Sequence, residues 1–181
     1  MKHLFIETST DRALLVLAEN GEPIAEKNLP GGPGMSEKLA YEAAALTQDA
    51  RPDEISVGLG PGSYTGIRVG AALGLGLGTG WGVPVTGFCS LEAFDAPAVF
   101  DARSGGVYIL KEGKPARVAV EEIEDWPLAF TPDRERLQKR TKGETIWIDA
   151  APSAHSILRA HRGPLSFFFE FSLERNPPSF V

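Results

Sequence analysis

Two acidic residues invite a chemical reading first. Glu7 follows the apolar run Leu4-Phe5-Ile6, and Asp101 follows Ala98-Val99-Phe100. A carboxylate at the end of a buried strand can face a cleft and handle phosphates, or it can accept hydrogen bonds from the amides of the next turn. Both readings stay open for Asp101, and turn capping is preferred for Glu7. The stretch Gly60-Pro61-Gly62-Ser63-Tyr64-Thr65-Gly66 has the glycine content of an anion cradle at a helix start. It lacks the Gly-Lys-Ser/Thr ending of a P-loop, and no Gly-x-Gly-x-x-Gly stands in the right place. Ser63 is not in a nucleophile elbow, since Gly62 directly precedes it.

Other chemistry is sparse. The three histidines, His3, His155 and His161, form no His-Glu-x-x-His motif. His155 and His161, six residues apart on one helix, are poor co-ligands and read as surface residues. The single cysteine, Cys89, excludes an internal disulfide and a cysteine-based metal cluster. Arg134, Arg136, Lys139, Arg140 and Lys142 form a basic run, which reads as a solvated helix face or, as a second option, a contact for RNA phosphates. Net charge is −6, so no global basic field attracts nucleic acid. At 43% hydrophobic and 23% charged residues the composition is that of a soluble globular protein. The short N-terminal apolar run suggests no signal peptide, and a cytoplasmic location is expected.

The elements that would position these groups follow from periodicity. Strands are expected at Leu4–Thr8, Ala13–Ala18 and Pro23–Asn28, with Asn20-Gly21 turning the second pair. A helix is expected from Met35 or Ser36 to Gln48, with Ser36 as N-cap and Leu39, Ala43 and Leu46 as its apolar stripe. A buried strand, Ile55–Leu59, leads through the glycine turn into a helix from about Thr65 to Trp81.

That helix carries Gly66, Gly70, Gly74, Gly78 and Gly82 at four-residue spacing, with Gly76 and Gly80 besides. Each interior glycine costs about 1 kcal/mol against alanine, so something must compensate. Residues four apart share a face, so the glycines make a smooth seam that another helix backbone can approach. The seam is expected to be a packing surface for a partner chain. A membrane span is not expected, because the uncharged run Val69–Leu91 contains seven glycines and Pro84.

The second half repeats the order of the first. Ala98–Ala102, Val107–Leu110 and Ala116–Val120 read as strands, Pro132–Arg140 as a helix and Thr145–Asp149 as a strand. Ser153–His161 follows as a helix and Leu165–Phe171 as a last strand, with Phe167–Phe171 read as core. Two subdomains are expected, residues 1–93 and a trimmed 94–181. The order resembles the duplicated α/β fold of the actin, sugar-kinase and Hsp70 superfamily (ribonuclease H-like), with mixed five-stranded sheets. In that superfamily the acids ending the first strand of each half manage metal and phosphates, which implies a weak nucleotide-site role for Glu7 and Asp101. The adenosine-holding glycine pair after the fourth strand is missing from Ile148-Asp149-Ala150-Ala151-Pro152-Ser153.

A narrower resemblance rests on Gly60-Pro-Gly-Ser-Tyr-Thr-Gly-Ile-Arg-Val-Gly70 and Asp101-Ala-Arg-Ser-Gly-Gly-Val-Tyr108. Ser90-Leu91-Glu92 and Ser36-Glu37 add to it. These segments are similar to signatures of the TsaB family, also called YeaZ. The resemblance implies a non-catalytic subunit, not an enzyme in its own right, of the complex that forms N6-threonylcarbamoyladenosine at position 37 of tRNAs reading codons that begin with A. Implied partners are a catalytic TsaD-like subunit, a TsaE-like ATPase, tRNA through the complex, and a second copy when the chain is alone. Docking is implied through the first two helices, here with Ser36, Leu39, Ala43, Gly66, Gly70, Gly74 and Gly78 at the interface. No tightly bound cofactor is expected, and ATP with magnesium is expected, if anywhere, only in the assembled complex. Met35 and Glu7 depart from the histidine and aspartate common in the family. The alternative is a small actin-like ATPase or phosphotransferase using Glu7 and Asp101.

Overall fold

The computed structural model describes residues 1–161 apart from Pro33, Asp49 and Ser104. The expected strand at Leu165–Phe171 lies outside the described residues. The first half is a mixed sheet of β1 (Lys2–Glu7), β2 (Arg12–Glu19), β3 (Glu22–Pro30), β4 (Glu54–Gly58) and β5 (Val85–Phe88). Its order is β3-β2-β1-β4-β5; β1, β2 and β3 run antiparallel, while β4 and β5 continue parallel to β1. β1 and β2 are buried along nearly their whole length, as central strands covered on both faces must be. Helices α1 (Met35–Thr47) and α2 (Tyr64–Trp81) cover one face. Ser36 is exposed inside α1 rather than capping it: Gly34, in the left-handed region at φ 79°, occupies the N-cap.

The second half is built the same way. β6 (Phe100–Asp101), β7 (Gly106–Lys111) and β8 (Lys114–Ala119) form an antiparallel sheet, and β9 (Leu128–Thr131) pairs in parallel with β10 (Ile146–Asp149). A parallel bridge between Ala98 and Phe130 joins the two pieces, giving the order β8-β7-β6-β9-β10. This is the order of the first half, so the duplication expected from the sequence is present.

Its internal register differs from the expected one. β9 is the fourth strand, hidden behind Trp126-Pro127 where the sequence reads as linker. Helix α3 (Arg134–Arg140) therefore corresponds to α2, and β10 is the fifth strand. A 3-10 turn at Val120–Ile123 stands in the place of α1. The stretch after the fourth strand is thus Pro132-Asp133-Arg134, which also lacks a glycine pair. Helix α4 (Ala154–His161) then packs between the halves. Phe5, Leu14, Val16, Phe88, Phe94, Phe100, Ile157 and Leu158 form one core that spans both halves.

The glycine helix lies against its own sheet, which corrects the expected use of its main seam. Gly66, Gly70, Gly74 and Gly78 are the buried residues of α2. A Cβ on them would collide with the Thr8 carbonyl, the Thr8 hydroxyl, a Val57 methyl and a Val85 methyl, respectively. The seam exists because β1, β4 and β5 already present branched side chains upward, and only a bare backbone fits over them. Leu39 and Ala43 are likewise fully buried, at 0% exposure, in the core beneath α1. Gly76 and Gly80 differ: they are exposed, and a Cβ there would meet nothing within 4 Å among the described residues.

The two glycine classes should therefore respond oppositely to substitution. Gly76→Ala is expected to stabilise the chain by about 1 kcal/mol through helix propensity. Gly74→Ala is expected to destabilise it by about 1–3 kcal/mol through overpacking on Val57. Urea unfolding of both variants, read by circular dichroism, checks the signs.

Candidate functional site

Two regions of the first half and its junction with the second can do something beyond folding. One is the cleft between the halves, and the other is the outward face of α1 and α2.

The cleft has a volume of about 170 Å³ and is lined by the β1–β2 turn, the glycine turn before α2, the β6–β7 turn and the start of α3. Ser9, Asp11, Ser63, Asp101, Tyr108, Asp133 and Arg136 are among its walls. Gly62 allows this closure, since a Cβ there would strike the Ser9 backbone and its φ is 149°. Ser63 caps α2, its hydroxyl accepting the Gly66 amide at 3.3 Å. That agrees with the absence of a nucleophile elbow.

Asp101 lies in the cleft wall, but its carboxylate is already engaged. Oδ1 accepts the Arg103 amide at 3.0 Å, and the Arg140 guanidinium donates to the same oxygen. Asp133 accepts the Asp101 amide at 3.1 Å. Burial pushes the Asp133 carboxyl above the ordinary carboxylate range, and the nearby Asp101 charge adds to this. Glu7 does not reach the cleft. It is fully buried, and its Oε1 accepts the Ser9 amide at 2.5 Å. The structure thus does not bring Glu7 and Asp101 together, and each satisfies a turn amide.

Two of the five residues of the basic run are paired within the chain. Arg140 pairs with Asp101, and Arg136 lies 3.6 Å from Asp133. Arg134 and Lys139 are exposed, but the neighbouring surface also carries Asp11, Asp133, Glu135 and Asp149. A guanidinium of Arg12 ties the halves on that side, donating to both Asp149 oxygens at 2.8 Å and to the Ala150 carbonyl at 3.0 Å.

The histidines take different places. His155 is exposed, but His161 is not a surface residue: its ring packs edge-on against Phe5 and Phe88, and Nδ1 donates to the Ile157 carbonyl at 3.0 Å. His3 stacks on Phe5 with centroids 3.9 Å apart. Burial, then the His161 charge, pushes His3 down to about 3. Among the described residues, no group of three or more histidine, cysteine or acidic side chains could hold a metal ion. Nor is any described helix long and apolar enough to cross a membrane.

The outward face is the other feature. On α2 it consists of Tyr64, Thr65, Arg68, Ala72, Gly76, Thr79 and Gly80, all exposed. Ala72, Gly76 and Gly80 repeat at four-residue spacing and form a second smooth stripe. On α1 the exposed Ser36, Ala40 and Ala44 run alongside. Between the helices lies a largely apolar groove lined by Ser36, Ala40, Thr65, Arg68, Val69, Ala72 and Leu73. Tyr41 and Tyr64 stand out at 74% and 73% exposure. The Arg68 guanidinium sits 5.4 Å from the Tyr64 ring centroid, within cation–π range. These are the two helices expected from the sequence, but of the seven expected interface positions only Ser36 is exposed. The missed signal was Gly76 and Gly80, which lie two residues out of step with the main seam and so point to the opposite side of the helix.

The family described as TsaD: tRNA N6-adenosine threonylcarbamoyltransferase matches residues 37–127, half of the chain. An uncharacterized Mycobacterium tuberculosis protein is 45% identical over 75 residues, covering 38% of this chain and 35% of that protein. The Bacillus subtilis tRNA threonylcarbamoyladenosine biosynthesis protein TsaB is 33% identical over 97 residues, covering 43% of this chain and 42% of its own length. The chain thus spans less than half the length of the curated relatives it matches. Among solved structures, YeaZ from Pseudomonas aeruginosa superposes with a TM-score of 0.67 at 20% identity, covering 90% of this chain and 91% of that one. That likeness is one of fold.

Removing Arg140 should leave the Asp101 carboxylate, 4% exposed, without its cation. Arg140→Ala is expected to cost about 3 kcal/mol, and adding Asp101→Asn should recover most of it. A double-mutant cycle in urea measures both. Burial also pushes the Cys89 thiol up to about 12. Native protein at pH 8 should therefore resist a disulfide reagent that labels the unfolded chain completely.

Proposed function

We propose, given that the chain belongs to the family of TsaD, tRNA N6-adenosine threonylcarbamoyltransferase, and is a TsaB-like member of it, that it is a non-catalytic subunit of a tRNA threonylcarbamoyladenosine-forming complex. It acts by docking a TsaD-like catalytic subunit on the outward face of α1 and α2. The observation that carries this reading is the exposed stripe of Ala72, Gly76 and Gly80 beside Ser36, Ala40 and Ala44. Exposed glycines inside a helix cost about 1 kcal/mol each. Nothing among the described residues lies within 4 Å of a Cβ at Gly76 or Gly80 to offset that cost. A partner helix laid on the stripe approaches close to the backbone, with Tyr41 and Tyr64 as rim anchors. In this reading a second copy of the chain competes for the same face, a TsaE-like ATPase joins the assembled pair, and tRNA is engaged through the complex in the cytoplasm.

The phosphotransferase alternative gains no support from the cleft. Glu7 is turned away from it, and Asp101 is held by Arg140. Magnesium and ATP belong, in this proposal, to the assembled complex and not to this chain.

The test is to mix the chain with a TsaD-like subunit and measure association by calorimetry. Gly76→Leu is expected to weaken pairing at least tenfold while thermal unfolding stays at or above wild type. Wild-type affinity in that variant, or no association of the wild-type chains, would overturn the docking face. Gly74→Leu is unsuitable for this purpose, because it strikes Val57 inside the fold.

A further inference from the structure

The buried carboxyl of Glu7 has no task in the reading above, yet it sits beneath the turn that starts α2. Glu7 is at 0% exposure and makes no ion pair among the described residues. Its Oε1 accepts the Ser9 amide, while Oε2 has no hydrogen-bond partner. The Ser9 hydroxyl, also buried, is unpartnered too. On the β4 side stands Gly58, where a Cβ would collide with Oε2 and come within 2.9 Å of the Ser90 hydroxyl. Ser90 in turn holds the glycine turn: its hydroxyl accepts the Gly60 amide at 2.9 Å, and its own amide donates to the Gly60 carbonyl at 2.8 Å. On the other side of the carboxyl the Ser9 carbonyl accepts the Ser63 amide, and the Thr8 hydroxyl donates to the Gly66 carbonyl at 2.8 Å.

An ionised carboxylate with one bare oxygen and no cation is costly inside a protein, whereas a neutral carboxylic acid supplies the proton that bare oxygens lack. The charged or titratable groups facing this position do not help ionisation. β1 offers Thr8 and Ser9, β4 offers Gly58, and the Ser90–Ala93 turn offers Glu92, with the Cys89 thiol just before it. Glu92 is an acid, its Oε2 accepting the Cys89 amide at 3.2 Å. α2 sets Gly66 and Gly70 against Thr8, next to Glu7 in the chain.

We propose that Glu7 is a proton-operated pin: as a neutral acid it donates to a neighbouring serine hydroxyl and seats the Gly58–Gly66 turn, and its ionisation loosens that turn and the start of α2. Burial pushes the Glu7 carboxyl above its ordinary value, outweighing the nearby Ser9, Ser90 and Thr8 donors that favour the charged form, and this agrees with the proposal. The sign is fixed by linkage. With the folded value raised, the native state binds more protons above the unfolded value of 4.5, so stability falls as pH rises from there to the folded value. The effect is a property of this chain alone and does not rest on the proposed docking.

Two measurements on the full chain test it. In protein labelled with 13C at glutamate side chains, the Glu7 carboxyl is expected to titrate at least one pH unit above the exposed glutamates; titration at or below them overturns the proposal. In hydrogen exchange, the amides of Gly60 and Gly66 should speed up with pH beyond the rise that base catalysis produces. Glu7→Gln, neutral at every pH, should abolish that extra rise and flatten the fall of Tm between pH 5 and pH 9. An extra rise that persists in Glu7→Gln, or a wild type without one, also overturns it. The carboxyl titration decides the matter should Glu7→Gln fail to fold.

Discussion

The contact on which the rest of the structure depends is the one between α2 and the sheet beneath it. Four glycines let the helix backbone rest directly on Thr8, Val57 and Val85. That depth is not adjustable, because well-packed interiors have no slack to absorb an added methyl group. The same contact draws the β1–β2 turn against the turn before α2, since the Ser63 amide donates to the Ser9 carbonyl and the Thr8 hydroxyl to the Gly66 carbonyl. The wall of the cleft and the outward helix face are therefore set by one interaction. A helix with ordinary side chains on its inner face would stand farther from the sheet and would displace both.

The two halves share a strand order but solve the covering of their sheets differently. The first half lays two full helices on one face, and the second has the short α3 and a 3-10 turn where the other helix would be. Where the first half uses glycine for close approach, the second uses charge. Asp101 is anchored by Arg140 from α3, and its amide by Asp133. An acid held by an internal guanidinium has its negative charge already compensated, and removing the partner would cost more than the pair contributes to stability. The duplicated fold thus keeps an acid at the end of the first strand in both halves, and each is engaged within the chain. In the first half it is buried under a turn, and in the second it is ion-paired.

Much of this was legible because local signals agreed with tertiary ones. The Asn20-Gly21 hairpin, the strands around Glu7 and the helix boundaries near Met35 and Trp81 follow from period and turn chemistry. The failures have physical causes. β9 is four residues long and follows Trp126-Pro127, so it shows neither alternation nor a clear apolar run; its pairing to β10 and to Ala98 comes from tertiary contact. His161 reads as polar, yet its ring fits edge-on against Phe5 and Phe88. The glycine seam is legible in the sequence, but its neighbour is the chain's own sheet and not a partner. Periodicity reveals that a helix has a smooth side, not whether a foreign helix or the chain's own sheet lies on it.

That ambiguity is resolved by counting smooth sides. A helix with one glycine stripe needs one close neighbour, and α2 has that neighbour in its own sheet. The residues left over are Gly76 and Gly80, continued backward by Ala72, on the side away from the sheet. Among the described residues nothing touches that side closely enough to favour glycine there. Among the described residues their intrinsic cost of about 1 kcal/mol each is therefore not offset, and packing within them gives no reason for their type. A helix that is thin on both sides behaves as a plate: a second backbone laid on its outer stripe would lie within the usual interhelical spacing of about 8–10 Å. It would then be coupled to the sheet through a rigid layer with few rotatable side chains.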